Sequence, residues 1–149
     1  MADGPAKLRV KRVGSVQAPL PAYKSQAAAG LDLSAAITEP VVILPGERRL
    51  IPTGFAVAIP PGHEGQVRPR SGLALRHGIG IVNSPGTVDA DYRGEICVVL
   101  INHGAEPFVV DPLARIAQLV ISPISRVTVE PVDALDATAR GSGGYGSTG

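Results

Sequence analysis

Short apolar runs separated by glycine and proline set the frame of this chain. Leu8–Val13 alternates apolar and basic positions, the pattern of a half-buried strand. Further strands are predicted at Gly30–Ala35, Val41–Leu44, Arg49–Ile51, Gly54–Ile59, Glu64–Pro69, Ile79–Asn83, Gly94–Asn102, Pro107–Val110, Arg115–Ile121 and Ser125–Val129. Pro45-Gly46 and Pro60-Pro61-Gly62 close two of these as turns, and Pro52 parts Arg49–Ile51 from Gly54–Ile59. About ten short strands at even spacing predict an all-β fold: a jelly roll, sandwich or barrel. One short helix is predicted at Ser71–His77, where Leu73, Ala74 and His77 share a face. The pattern divides the chain into a β domain over residues 1–132 and an arm over residues 133–149, which carries no strand signal.

Composition sharpens this picture at three points. With three tyrosines, two phenylalanines and no tryptophan, the core has to be aliphatic. A formal charge of +1 argues against a basic face that wraps nucleic acid. Cys97 is the sole cysteine, which rules out an internal disulfide and makes a reducing compartment the default. The polar start and apolar runs of no more than about six residues predict neither a signal peptide nor a membrane helix, hence a cytoplasmic protein.

The arm ends in RGSGGYGSTG at Arg140–Gly149. Its five glycines cannot bury enough apolar surface to order the segment alone. Arg140 and Tyr145 nevertheless supply a forked donor for phosphate and a flat face for a base. A lid that orders over a nucleotide is one reading; a frayed terminus is the other. Extended, its 17 residues reach roughly 50 Å, enough to touch a neighbouring subunit.

Other segments carry chemistry of the same kind. Arg68-Pro-Arg-Ser-Gly-Leu73 ends a strand and opens the helix, with Arg70, Ser71 as N-cap and Gly72 facing an anion at the helix N-terminus. An ordinary capped turn fits too. Gly86–Gly94 reads as a hairpin or loop with Asp89 and Asp91, either a general base beside Tyr92 or an acidic turn. Asn83 can present a donor and an acceptor to a base edge, or simply form a turn. Asp32 points away from Leu31 and Leu33 and needs a cationic partner, an arginine being the obvious choice. Arg115 or Gln118 can reach a phosphate, or Gln118 can be an ordinary strand residue. Three scattered histidines and one cysteine give no zinc spacing, and there is neither a Gly-x-x-x-x-Gly-Lys-Ser/Thr loop nor a Gly-x-Gly-x-x-Gly following a strand.

In order, AGLDLSA (Ala29–Ala35), RPRSGLAL (Arg68–Leu75), GTVDADYRGEI (Gly86–Ile96), RIAQLVI (Arg115–Ile121) and RGSGGYGSTG resemble the five motifs of the trimeric deoxyuridine triphosphatase family, the dUTP diphosphatases. Each motif alone is weakly specific; five in order across nearly the whole chain are very specific. The resemblance implies a jelly roll, a homotrimer with sites shared between subunits, and Mg²⁺-dependent hydrolysis of dUTP to dUMP and diphosphate. That reaction limits uracil in DNA and supplies dUMP for thymidylate synthesis. It implies that Asp89 activates water for in-line attack on the α-phosphorus and that Tyr92 packs on deoxyribose. Asn83, Thr87, Val88 and the Cys97 main chain would read uracil.

By the same resemblance Arg70, Ser71, Gly72 and Gln118 would bind phosphate, and Asp32 would organise the phosphate–metal region indirectly. Arg140 would act on the γ-phosphate and Tyr145 would stack on uracil, at a position where the family usually carries phenylalanine. Mg²⁺ would be held by the triphosphate and waters, with no direct protein ligand. A dCTP deaminase of the same fold and a non-catalytic jelly-roll assembly protein are the alternatives.

Overall fold

Ten strands and one helix order the chain: β1 (Arg9–Arg12), β2 (Leu31–Ser34), β3 (Val41–Ile43), β4 (Arg48–Ala58), β5 (His63–Arg68), α1 (Ser71–His77), β6 (Ile79–Ile81), β7 (Gly86–Val88), β8 (Glu95–Asn102), β9 (Phe108–Val110) and β10 (Arg115–Pro123). The computed structural model describes residues 6–146. Residues 1–5 of the expected domain and residues 147–149 of the expected arm lie outside the described residues.

All pairings are antiparallel, in sheets ordered β1-β4-β8-β6, β2-β10-β5-β7 and β3-β9. Alternation explains their packing. Along β8, Ile96, Val98, Leu100 and Asn102 are buried while the residues between them are half-buried. Leu31 and Leu33 from β2, Val67 from β5 and Leu119 from β10 meet β8's inward residues in one aliphatic core. Each such leucine or isoleucine contributes about 1.5–3 kcal/mol relative to exposure. No helix among the described residues is long and apolar enough to cross a membrane.

Asn102 is fully buried within this core, and every polar atom of its side chain is engaged. It donates to the carbonyls of Ile43 at 2.9 Å and Glu106 at 2.8 Å and accepts from the Gly104 N–H at 2.8 Å, tying β8 to β3 and to the turn before β9. Asn102→Leu keeps the volume but strands three backbone groups, one of them in a fully buried bond and two in part-buried ones. Chemical denaturation should show a loss of about 2–4 kcal/mol; a loss below about 1 kcal/mol would show that water replaces those bonds.

Four expectations need correction. Pro52 does not end a strand: β4 runs through it, and its ladder with β8 shifts register between Pro52 and Ala56. Proline cannot donate to the ladder and Gly54 adopts φ +78, so the chain bulges and resumes pairing. Gly86–Val88, expected in a hairpin or loop and not counted among the strands, is the edge strand β7 on β5. It fits because Gly65 is bare; a Cβ there would lie 3.2 Å from Val88 Cβ and 2.8 Å from Ile59 Cδ1.

Ser125–Val129 forms no strand. β10 is already flanked by β2 and β5, and Val127 and Val129 are 83% and 86% exposed among the described residues. Finally, Ser71 is not the N-cap. Arg70 holds that position in an extended conformation and no side chain caps the helix, because Pro69 carries an extended approach one residue further. α1 buries no residue fully. His77 packs on Phe108 with ring centroids 5.1 Å apart, and Gly78 ends the helix in the left-handed conformation.

Candidate active site

The turn after β6, strand β7 and the start of β8 enclose a cavity of about 370 Å³. Asn83, Thr87, Val88, Asp89, Tyr92 and Cys97 all line it, drawn from the turn after β6, from β7 and the turn that follows it, and from β8. Gly86 permits their approach, since a Cβ there would sit 3.2 Å from Asn83 Nδ2. Apolar walls from Leu50, Val67 and Ile81 suit a flat, weakly polar ring, and the exposed Asn83 supplies an amide at the rim.

Asp89 follows β7 directly. Its carbonyl accepts the Tyr92 N–H at 3.1 Å, closing the turn that aims Tyr92 back over the strand. Among the described residues no hydrogen bond or ion pair engages the Asp89 carboxylate, which is exposed at the mouth of the cavity. The Cys97 thiol is pushed above its ordinary pKa, first by burial and then by the nearby Glu95 carboxylate. It stays neutral at physiological pH, which removes it as a nucleophile and leaves its backbone as the useful part.

A second group gathers where β2, β10 and β5 run side by side. Gln118 is in register with Asp32 on one flank and Arg68 on the other. It donates to the Pro69 carbonyl at 3.3 Å and fills the space over Gly30, where a Cβ would lie 3.0 Å from Gln118 Cβ. Asp32 is half-buried on the face opposite Leu31 and Leu33, and Arg115 is the arginine it requires, paired at 3.0 Å. Arg115 in turn accepts, through its carbonyl, a 3.0 Å bond from Arg70. Arg70 and Arg115 thus carry two guanidinium groups beside one carboxylate, a surplus of positive charge suited to an anion. Ser71 is exposed and Gly72 half-buried in the first turn of α1.

Arg70, Ser71, Gly72, Gln118 and Asp32 do not line the cavity that holds Asp89. Arg140 and Tyr145 join neither group. Arg140 Nε donates to the Gly143 carbonyl at 2.8 Å, and the Tyr145 ring is fully exposed. Thr138, in the stretch before Arg140, has a local role, because its hydroxyl accepts the Gly141 N–H at 3.1 Å and starts the turn. No group of three or more potential metal ligands occurs among the described residues. Glu95 and Asn102 escaped the sequence reading; an acid or amide on an otherwise aliphatic strand was the signal available for both.

The dUTPase family model matches residues 16–149, most of the β domain together with the whole arm. The chain belongs to the dUTPase family. A deoxyuridine 5'-triphosphate nucleotidohydrolase of an Anaeromyxobacter species is 59% identical over 147 residues, covering 97% of this chain and 99% of the relative. Its counterpart in Methylocella silvestris is 56% identical over 148 residues, covering 97% and 92%. Among solved structures, a Staphylococcus bacteriophage 80alpha dUTPase variant with dUpNHpp superposes with a TM-score of 0.86 at 28% identity, covering 96% of this chain and 98% of that one. A variant dUTPase from phage phi11 of S. aureus, described with a structural Mg(II) ion, gives 0.78 at 25% identity, covering 88% and 99%. The all-β jelly-roll expectation holds for this member of the dUTPase family.

Proposed function

We propose that this dUTPase-family chain hydrolyses dUTP to dUMP and diphosphate, with Asp89 as the general base. What carries this reading is one unengaged carboxylate, Asp89, at the mouth of a ring-sized cavity that also holds Asn83, Tyr92 and Cys97. Uracil enters the cavity and pairs with Asn83 and the backbone of Thr87, Val88 and Cys97, where a thymine methyl has no room. Tyr92 packs against the deoxyribose. Asp89 takes a proton from water as its oxygen bonds to the α-phosphorus in line; the bond to the bridging oxygen of the β-phosphate breaks, and diphosphate leaves.

Arg70, Ser71, Gly72 and Gln118 hold the phosphates, and Asp32 keeps Arg115 in place. Mg²⁺ would be held by the triphosphate and waters rather than by side chains, and when bound would supply neutralisation of phosphate charge.

A homotrimer reconciles these roles with the separation of the two groups. Each site would combine the Asp89 cavity of one subunit with the Arg70–Gln118 group of another and an arm spanning residues 133–149. Three features of the described residues support it: Arg140 and Tyr145 join neither group, Leu50 and Val82 stand exposed at 65% and 51%, and Val127 and Val129 are exposed at 83% and 86%. Light scattering on the eluted protein should give three times the chain mass; an active monomer would overturn the shared site.

Turnover of dUTP, dTTP, dCTP and UTP, each with and without Mg²⁺, tests the reaction itself. Diphosphate should appear from dUTP with Mg²⁺, at least about tenfold faster than from the others, the size of discrimination one methyl or hydroxyl group provides. Ammonia from dCTP, or no diphosphate from dUTP, would defeat the proposal.

A further inference from the structure

Where β4 and β8 lose register, an acid that the proposed chemistry does not use bridges the gap. Glu95 and Cys97 stand two steps apart on β8, while their partners Ala56 and Pro52 stand four apart on β4. Thr53, Gly54 and Phe55 therefore bulge, and side chains take over from the ladder. The Thr53 hydroxyl donates to the Ile96 carbonyl at 2.6 Å, and the Gly54 N–H donates to Glu95 Oε1 at 2.9 Å. Only glycine suits that position: φ is +78, and a Cβ would meet Ala36 Cβ at 3.1 Å.

Glu95 also holds Tyr92. The tyrosine hydroxyl donates to the Glu95 carbonyl at 3.0 Å. To reach it, the ring crosses Gly94, where a Cβ would stand 2.6 Å from Tyr92 Cζ. With its proton so committed, Tyr92 has no donor left for a substrate and offers it chiefly the ring. One residue therefore fastens the β4 bulge through its carboxylate and the Tyr92 ring through its carbonyl. The height of that ring above the cavity depends on where β8 begins, and the carboxylate is one of the bonds that hold that start, beside the Thr53 hydroxyl and the pairing with Ala56.

We propose that Glu95 is a positioning residue that sets discrimination between deoxyribose and ribose through the height of the Tyr92 ring. The proposal rests on the reading that Tyr92 packs against the sugar. Without the carboxylate the start of β8 shifts, the ring lifts, and a 2′-hydroxyl gains room.

The test is kcat/KM for dUTP and for UTP in Glu95→Ala, Glu95→Asp, Glu95→Gln and Tyr92→Ala, alongside thermal unfolding. Glu95→Ala should narrow the dUTP/UTP ratio by about tenfold, the weight of one charge-assisted hydrogen bond, chiefly through KM. Glu95→Asp keeps the acid but withdraws it by one methylene, and should narrow the ratio in the same direction. Glu95→Gln, whose amide oxygen still accepts from Gly54, should restore most of the ratio. If the ratio holds in Glu95→Ala and Glu95→Asp while Tyr92→Ala reduces it, Glu95 is only a brace and the proposal falls. A ratio unmoved by Tyr92→Ala would instead overturn the sugar-packing reading beneath it.

Discussion

Replacing Asp89 with asparagine is expected to lower dUTP turnover by about 10²–10⁴-fold, the contribution of a positioned general base. Asparagine keeps the size of the side chain and still accepts a hydrogen bond from water, so the nucleophile remains seated. It cannot take the proton. Because the Asp89 carboxylate engages no partner among the described residues, its replacement strands no buried group, and the melting temperature should stay within about 2 °C. Single-turnover diphosphate release measures the chemical step, and calorimetry with a non-hydrolysable dUTP analogue measures binding. Binding within a few-fold of wild type, with chemistry lost, is the expected split. Asp91→Asn is the control. Asp91 and Asp89 both line an adjacent cavity of about 650 Å³, but only Asp89 also lines the one that holds Asn83 and Cys97. Its turnover should fall less than about threefold, a limit set by the small energies of exposed charges. Near-wild-type turnover in Asp89→Asn would take the base role from Asp89.

That distinction between Asp89 and Asp91 marks where sequence reading stops. Two acids two residues apart share a face in a strand but not in a turn, and the three-residue strand β7 was too short to signal which applies. Alternation revealed which side of a strand faces inward where it was clear: Leu31 and Leu33 were legible, as was the need of Asp32 for an arginine. It does not reveal partners, because pairing depends on which edge is free once the other strands have closed. Ser125–Val129 alternates as well as Leu8–Val13 does, yet only the latter region finds an edge, on β4.

Pro52 was misread for the same reason. Proline's missing donor is a local fact, whereas the bulge that absorbs it needs Gly54, Thr53 and a carboxylate 41 residues away. The motif residues could be found from the sequence because their chemistry is specific. Their division into two separate groups could not, because it is a property of the folded surface and of whatever assembles on it.

Deleting residues 140–149 is expected to leave stability unchanged and to lower dUTP turnover by about 10³-fold, the lower range of what an inserted arginine contributes to phosphoryl transfer. The first half follows from exposure: residues 125–142 and Tyr145 lie exposed, and Arg140 bonds only within its own turn. The second half follows from chemistry. Charge grows on the phosphate oxygens as the bond to the leaving group stretches, and a planar guanidinium answers two of them at once. Arg140→Lys should therefore recover only part of what Arg140→Ala loses, while Tyr145→Ala should weaken closure by roughly 1–3 kcal/mol through the lost stack on uracil. A full-length Asp89→Asn chain and a truncated chain with Asp89 intact should each be nearly inactive alone. Co-expressed and co-purified, they form mixed assemblies in which an intact arm can meet an intact Asp89. Activity well above that of either parent is the expected result. Activity equal to the parents' average would confine each arm to its own subunit and remove the reason for a shared site.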